Sequence, residues 1–388
     1  MLNPGVSIKE PLIQKALKLG RQVVNEATIF YTNFPGKIIG ITGTRGKTTT
    51  ATWTAHLMGK QALLTGNSPD HPFLEAKSYK LKAISWAITE MSSFSLELFE
   101  KQRKPDVAVI TNIYQDHFNR YKNYRDYVKT KANLFIGQTD DQQLILNFDN
   151  SWTPYLLTLP RKSKVWFFSL KKLALELPGL YLDGNVAYFQ EGLHTRHALE
   201  VGKFAKQWGS HNIENLFAAA LAAHAAGMPW EDIQKKLVSL PQIPFRQEIV
   251  YRDKELTIIN DTAATSPEGT IAALLRFGSP STILITGGTD RKLNFTKWGK
   301  ITPNYIVPDH MVFLEGSATV KMIKALNLKK PRVFKTLKEC LAYAIALGHG
   351  TILFSPASKS FEKFKNEYDR GAQFNILVKK LLPGHKHP

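Results

Sequence analysis

An α/β fold built as two domains with mostly parallel sheets is what this 388-residue sequence predicts, on three observations. Short apolar, β-branched runs alternate with helix-like stretches along most of the chain, the pattern of parallel strands joined by helical crossovers. LPQIPF (240–245), with its two prolines, interrupts the alternation, and a second strand–helix series follows it. The first run, KIIGIT (37–42), passes through a glycine-rich loop into TTTATWTAHLMGK (48–60), a strand–loop–helix unit.

The remaining elements follow in order. AISWAITE (83–90) and DVAVITNI (106–113) read as buried strands, YRDYVKTKANLFIG (124–137) as a helix and QLILNFD (143–149) as a strand. From 151 to 208 the pattern is less regular, and LPGLYLDGNVAYF (177–189) suggests short strands around turns. SHNIENLFAAALAAHAAG (210–227) opens on a serine cap and closes on a glycine, which marks a helix. Beyond the break, ELTIIND (255–261), STILITGG (281–288), MVFLEG (311–316) and GTILFSPAS (350–358) are strands ending in turn residues. Helices such as PEGTIAALLRFG (267–278) lie between them. The expected domains are 37–243 and 244–388, behind a leading segment 1–36.

Composition narrows the function. The chain has 51 basic and 32 acidic residues, a net charge of +19. That balance favours anionic partners, unless it reflects a lysine-rich proteome. The basic residues are scattered and form no nucleic-acid-binding signature, so nucleic acid is not an expected partner. The single cysteine, Cys340, excludes a disulfide within the chain and fits a reducing compartment. Lys9 and Glu10 stand where a signal peptide needs its apolar core. LFAAALAAHAAGM (216–228) is too short to span a bilayer. A cytoplasmic monomer without membrane insertion is the expectation.

Open parallel sheets bind ligands beyond the carboxyl ends of their strands. In GTRGKTT, Gly43 and Gly46 let backbone N–H groups approach phosphates. Lys47 can reach the outer phosphates, and Thr48 can offer a hydroxyl to Mg²⁺. A strict phosphate-loop pattern puts glycine at 41, where Ile41 stands with Gly40 one place early, so an ordinary strand–helix turn is the alternative. Glu90 ends a strand; it can hold Mg²⁺, or cap a helix ahead of Ser92 and Ser93. TNIYQDHFNRY (111–121) brings Asn112, Asp116, His117 and Arg120 to the same edge. His117 can contact a metal or phosphate, or simply be solvated. Lys131, taken alone, is a surface lysine.

In their order, GTRGKTT, TEMSSFSLE, NIYQDHFNRY, YVKTKANLF and GSHNIENLFAA resemble the motifs of the Mur ligases. FRQEIVYRDKELTIINDTAATSPEGT, ITGGTDRKLNF and LFSPASKSFEKFKNEYDRGAQF narrow the resemblance to members that join D-glutamate to UDP-N-acetylmuramoyl-L-alanine, in peptidoglycan precursor synthesis. The resemblance implies a central P-loop ATPase domain and a C-terminal Rossmann-like domain that binds the amino acid. It implies that ATP phosphorylates a substrate carboxylate and that an amine attacks the acyl phosphate to give an amide, ADP and phosphate. Position by position, it makes Lys47, His117 and Lys131 catalytic. Lys47 and Thr48 hold the phosphates and a first Mg²⁺; Glu90 and His117 fit a second metal site, beside a carbamylated Lys131. Gly43, Thr44, Gly46, Thr49, Asn212, Asn215, Arg246 and Asp261 complete the ATP site. Thr265, Arg291, Ser360 and Phe361 hold the amino acid, Asn67 the acceptor, and Ser92 is a further substrate contact.

Some positions depart from the family's pattern. Ala263 in DTAATS and Arg291 in GGTDRK each stand where a lysine is usual, and Phe245 replaces a histidine. Arginine can still bind a carboxylate, and bidentately, but Ala263 offers no charge. MLNPGVSIKEPLIQKALKLGRQVVNEATIF resembles only the last segment of the family's UDP-binding domain, so 1–36 is expected to be a remnant of it. Either a late reading start or a short protein that holds its acceptor differently accounts for that. A ligase for another acceptor or amino acid, and a non-catalytic ATP-binding relative, are the alternatives.

Overall fold

The computed structural model describes residues 1–3, 6–68, 71–73, 84–114, 120–348 and 350–383. They form two compact units, Met1–Pro241 and Gln242–Pro388, divided within LPQIPF.

The first unit carries nine strands: β1 (Lys37–Thr42), β2 (Ala62–Gly66), β3 (Trp86–Glu90), β4 (Val107–Ile110), β5 (Gln143–Asn147), β6 (Lys164–Ser169), β7 (Gly179–Asp183), β8 (Val186–Glu191) and β9 (His194–Glu200). They form one sheet in the order β2-β3-β1-β4-β5-β6-β7-β8-β9. Pairing is parallel from β2 to β7, then antiparallel through β8 and β9. β3 and β4 are buried along their whole length and β1 beyond Lys37, as suits mainly apolar runs when helices cover both faces. The two-residue turn Gly184-Asn185, with Gly184 at φ 59°, folds β7 back onto β8. β9 begins exposed at residues 194–197 and buries only Ala198 and Leu199.

Helix Lys47–Met58 packs against helix Ile213–Ala225. The latter buries Ala218, Ala219, Ala220, Ala222 and Ala223, and these small side chains let the backbones come close. The serine cap expected for this helix does not form: Ser210–Asn212 is a 3₁₀ turn, and the α-helix starts at Ile213. The expected helix 124–137 is regular only over Tyr124–Ala132. Helix Glu26–Asn33 opens on a capping box between Asn25 and Thr28. Its Tyr31 hydroxyl lies 2.6 Å from Thr89 Oγ1 on β3. Gly40, in mid-β1, makes room for that ring, since a Cβ there would lie 2.8 Å from the Tyr31 hydroxyl. The early glycine of the loop motif is therefore a packing residue.

The second unit carries β10 (Glu248–Arg252), β11 (Leu256–Asn260), β12 (Thr282–Thr286), β13 (Met311–Leu314), β14 (Arg332–Phe334) and β15 (Gly350–Phe354). Their order is β10-β11-β15-β12-β13-β14, with only β10–β11 antiparallel. One core surrounds Phe354, Phe374 and Cys340, another Trp298, Phe313 and Met322.

Both sheets have a point where the crossovers diverge, which opens a crevice at the strands' carboxyl ends. In the first, β1 leads to β2 on one side while β4 leads to β5 on the other. In the second, β12 leads to β13, while β15 leads to helix Glu367–Leu381, which packs toward β10 and β11. Among the described residues, no helix is long and apolar enough to cross a membrane.

Candidate functional site

The first crevice is built around Gly43–Gly46. The end of β4 braces this loop: Thr44 N donates to Asn112 O, and Arg45 N to Asn112 Oδ1, both at 2.9 Å. Thr111 Oγ1 donates to Arg45 O at 2.6 Å. A Cβ on Gly43 would strike Thr111 Oγ1, so the close approach demands glycine. Thr44 is used inside the protein, because its hydroxyl accepts from Tyr114 N at 2.9 Å and lies 3.1 Å from Tyr127 Oη.

Helix Lys47–Met58 starts from Gly46, which has φ 81° and offers no side-chain cap. An uncapped helix start presents backbone N–H groups and the positive end of the helix dipole, which suits phosphate oxygens. A Cβ on Gly46 would collide with Asn215 Oδ1, so Asn215 abuts the loop. Asn215 Nδ2 donates to Asn212 Oδ1 at 2.9 Å, and Asn212 Nδ2 to Trp208 O at 2.8 Å. Thr48 is half-buried and Thr49 buried in the helix's first turn.

Two ammonium groups converge on one carbonyl oxygen. Lys47 Nζ donates to Gly43 O at 3.1 Å and Thr44 O at 3.0 Å. Lys131 Nζ donates to the same Gly43 O at 2.7 Å and lies 4.8 Å from the Tyr127 ring centre. Only 1% of Lys131 is exposed, so it is not the surface lysine its sequence setting suggests.

Glu90 is buried at the end of β3, paired in register with Ile41, two residues before Gly43. It does not cap a helix; Ser92 does, accepting from Ser95 N at 3.0 Å. Asn67 is exposed, and its N donates to Glu90 O at 2.9 Å. Asp116 and His117 lie outside the described residues. Arg120 is paired with Glu97 through two bonds of 2.7 and 2.8 Å.

In the second unit, Asp261 is buried at the end of β11. Its oxygens accept from Ser355 Oγ at 2.7 Å and Gln247 N at 3.1 Å. Burial pushes this carboxyl up to about 7, against the pull of those hydrogen bonds and of nearby Arg246 and Arg276. Thr265 Oγ1 accepts from Lys359 Nζ at 3.2 Å, and the Arg291 guanidinium lies 4.6 Å over the Phe361 ring. Ser360 is buried, and its hydroxyl has no hydrogen-bond partner among the described residues.

The sequence signature described as the Mur ligase middle domain matches residues 41–223. Over 97% of its length, the chain is 30% identical to a UDP-N-acetylmuramoylalanine–D-glutamate ligase from a Roseiflexus species, covering 83% of that protein. It is 31% identical to the ligase of the same name from Desulfitobacterium hafniense, over 98% of this chain and 83% of that one. The chain belongs to the Mur ligase family. Among solved structures, the UDP-N-acetylmuramoylalanyl-D-glutamyl-2,6-diaminopimelate–D-alanyl-D-alanyl ligase of Acinetobacter baumannii shares the fold. The TM-score is 0.67 at 19% identity, covering 92% of this chain and 78% of that one.

Mur ligases are ATP-dependent, use Mg²⁺ and form amide bonds. The first crevice fits that chemistry, with a helix start, two cations and one buried carboxylate around a glycine loop. Among the described residues, no group of three or more His, Cys, Asp or Glu could hold a metal ion. The oxygen donors present, Glu90 and Thr48, are of the hard kind Mg²⁺ takes, with water and phosphate oxygens completing its shell. Sequence reading passed over Thr111, Tyr127 and Lys359. Their signal is position alone, since Thr111 and Lys359 follow strand ends and Tyr127 lies in helix Tyr124–Ala132, places that only the fold brings together.

Proposed function

We propose that this Mur ligase joins D-glutamate to UDP-N-acetylmuramoyl-L-alanine in peptidoglycan precursor synthesis. The convergence of Lys47 and Lys131 on Gly43 O, beside the uncapped helix start, supports the chemistry. That much positive charge suits a triphosphate and an acyl phosphate in the same place. The names of the similar full-length relatives support the substrates.

In this reading the acceptor's carboxylate oxygen attacks the γ-phosphorus of ATP, and ADP leaves. The amine of D-glutamate attacks the acyl carbon, and the tetrahedral intermediate expels phosphate and loses a proton. Lys47 and the N–H groups of the first helical turn neutralise the transferring phosphoryl group; Asn212 and Asn215 line the adenine side. Bound Mg²⁺ would neutralise phosphate charge, held by Thr48 at one site and by Glu90, His117 and a carbamylated Lys131 at the other. After its ammonium gives up one proton, the Lys131 amine attacks CO₂ and loses a second proton to become a carbamate, which exchanges a buried cation for a carboxylate-like group. In the second unit, Arg246 and Asp261 serve the nucleotide, and Thr265, Arg291, Ser360 and Phe361 the amino acid. Asn67 serves the acceptor, and Ser92 is a further substrate contact.

The test is phosphate release by the intact chain. Release is expected only when ATP, Mg²⁺, UDP-N-acetylmuramoyl-L-alanine and D-glutamate are all present, and Lys47→Ala should abolish it. Release with a different amino acid, or with an acceptor lacking UDP, refutes the substrate reading. Undiminished release by Lys47→Ala refutes the phosphate-loop reading.

A further inference from the structure

The acids beside the second crevice, between β15 and β12, already have partners. Asp290 pairs with Lys321 at 2.6 Å and Glu315 with Lys363 at 3.1 Å, while Glu362 accepts from Ser317 N at 3.0 Å. Lys359 is different. Among the described residues its ammonium has one partner, the uncharged hydroxyl of Thr265 at 3.2 Å. A half-buried cation without a carboxylate is an anion site in waiting.

The backbone around it is tightly held. Thr289 N donates to Lys359 O at 2.9 Å and Lys359 N to Thr289 O at 3.2 Å, which ties together the loops after β12 and β15. The fully buried Arg370 donates to Lys359 O and Ser358 O, each at 3.1 Å, and to Thr262 O at 2.9 Å. Ala357, two residues before Lys359, is held at φ 56°, a left-handed conformation that a non-glycine residue keeps only when its surroundings enforce it. On either side of Lys359, the buried hydroxyls of Ser358 and Ser360 lack hydrogen-bond partners among the described residues. Such unmet groups are costly unless a ligand supplies the partner.

We infer that Lys359 binds a carboxylate of the incoming amino acid, with Thr265 beside it, and so sets amino-acid specificity; this rests on the ligase reading above. The loop DTAATS has no cation of its own, with Ala263 two residues before Thr265. Lys359 brings the charge to that loop from the end of a different strand.

Steady-state phosphate release by the intact chain, with D-glutamate varied, tests this. Lys359→Ala should raise KM for D-glutamate at least about tenfold, the loss of one charge-assisted hydrogen bond. KM for ATP should stay within about twofold, and Lys359→Arg should recover most of the loss because it keeps the charge. An unchanged KM for D-glutamate in Lys359→Ala overturns the inference. So does an equal rise in KM for ATP, which signals general damage. If the wild type uses another amino acid, the substrate reading fails alone, and the same variants are judged with that amino acid. A wild type that shows no amino-acid dependence overturns both.

Discussion

Replacing Asp261 with asparagine should change how the second unit's stability responds to pH. Asp261 ordinarily titrates at 3.8 and is pushed up to about 7 in the fold, chiefly by burial. Its folded form therefore binds a proton more tightly than its unfolded form. The resulting stabilisation is complete below about pH 4. It declines as pH rises and is gone once pH passes the folded value near 7. Each unit of separation is worth about 1.4 kcal/mol, so the whole loss is about 4 kcal/mol. Asp261→Asn does not titrate and should not lose it. Relative to wild type, the variant should gain about 4 kcal/mol between about pH 4 and pH 8, most of it below pH 7. Any constant offset from altered bonds to Ser355 and Gln247 leaves that slope intact. Hydrogen exchange at the buried β11 residues Ile258 and Ile259 reads it locally. Comparing both proteins at the same pH cancels the intrinsic exchange rate. The protection ratio should climb roughly a thousandfold across the range. A ratio that stays flat, or falls with pH, would show that burial does not raise this carboxyl and would refute the reasoning.

Two further outcomes are expected at the first crevice. Gly46→Ala places a methyl group against Asn215 Oδ1 in a left-handed backbone, which alone costs roughly 1–2 kcal/mol. kcat/KM for ATP should fall about tenfold or more, and wild-type values would remove the need for glycine there. Lys131→Ala should lose turnover that bicarbonate cannot restore, while wild-type enzyme depleted of CO₂ should recover on bicarbonate addition. An active Lys131→Ala, or a wild type indifferent to bicarbonate, would sink the carbamate.

The strands that frame both crevices were legible because burial on two faces forces continuous apolar runs. KIIGIT, AISWAITE, DVAVITNI and GTILFSPAS each contain such a strand. Edge strands were not. β14 is three residues long and mostly exposed, and HTRHALE in β9 carries polar side chains because solvent reaches both faces over its first four residues. Ser210 looked like a cap because capping residues have a local signature, yet a 3₁₀ turn occupies Ser210–Asn212 and the α-helix begins beyond it. The glycine loop at the helix start was legible because its parts are contiguous. The bracing by Asn112, the burial of Lys131 against Gly43 O and the reach of Lys359 to Thr265 depend on strand order, which no local pattern carries.

Among the described residues, β9 ends the nine-stranded sheet with no further strand beyond it, a natural template for the strand of another molecule. Its exposed half opposes that. Arg196 spreads over Phe189 at 5.2 Å, and His197 sits 3.3 Å from Glu200. A shift of register between Ala187 and Tyr188 bends the β8–β9 ribbon out of a flat line. The least regular corner of the sheet is thus its guard against aggregation. Substitutions that made β9 a smoother, more apolar strand would improve its local propensity and expose the protein to edge-to-edge assembly.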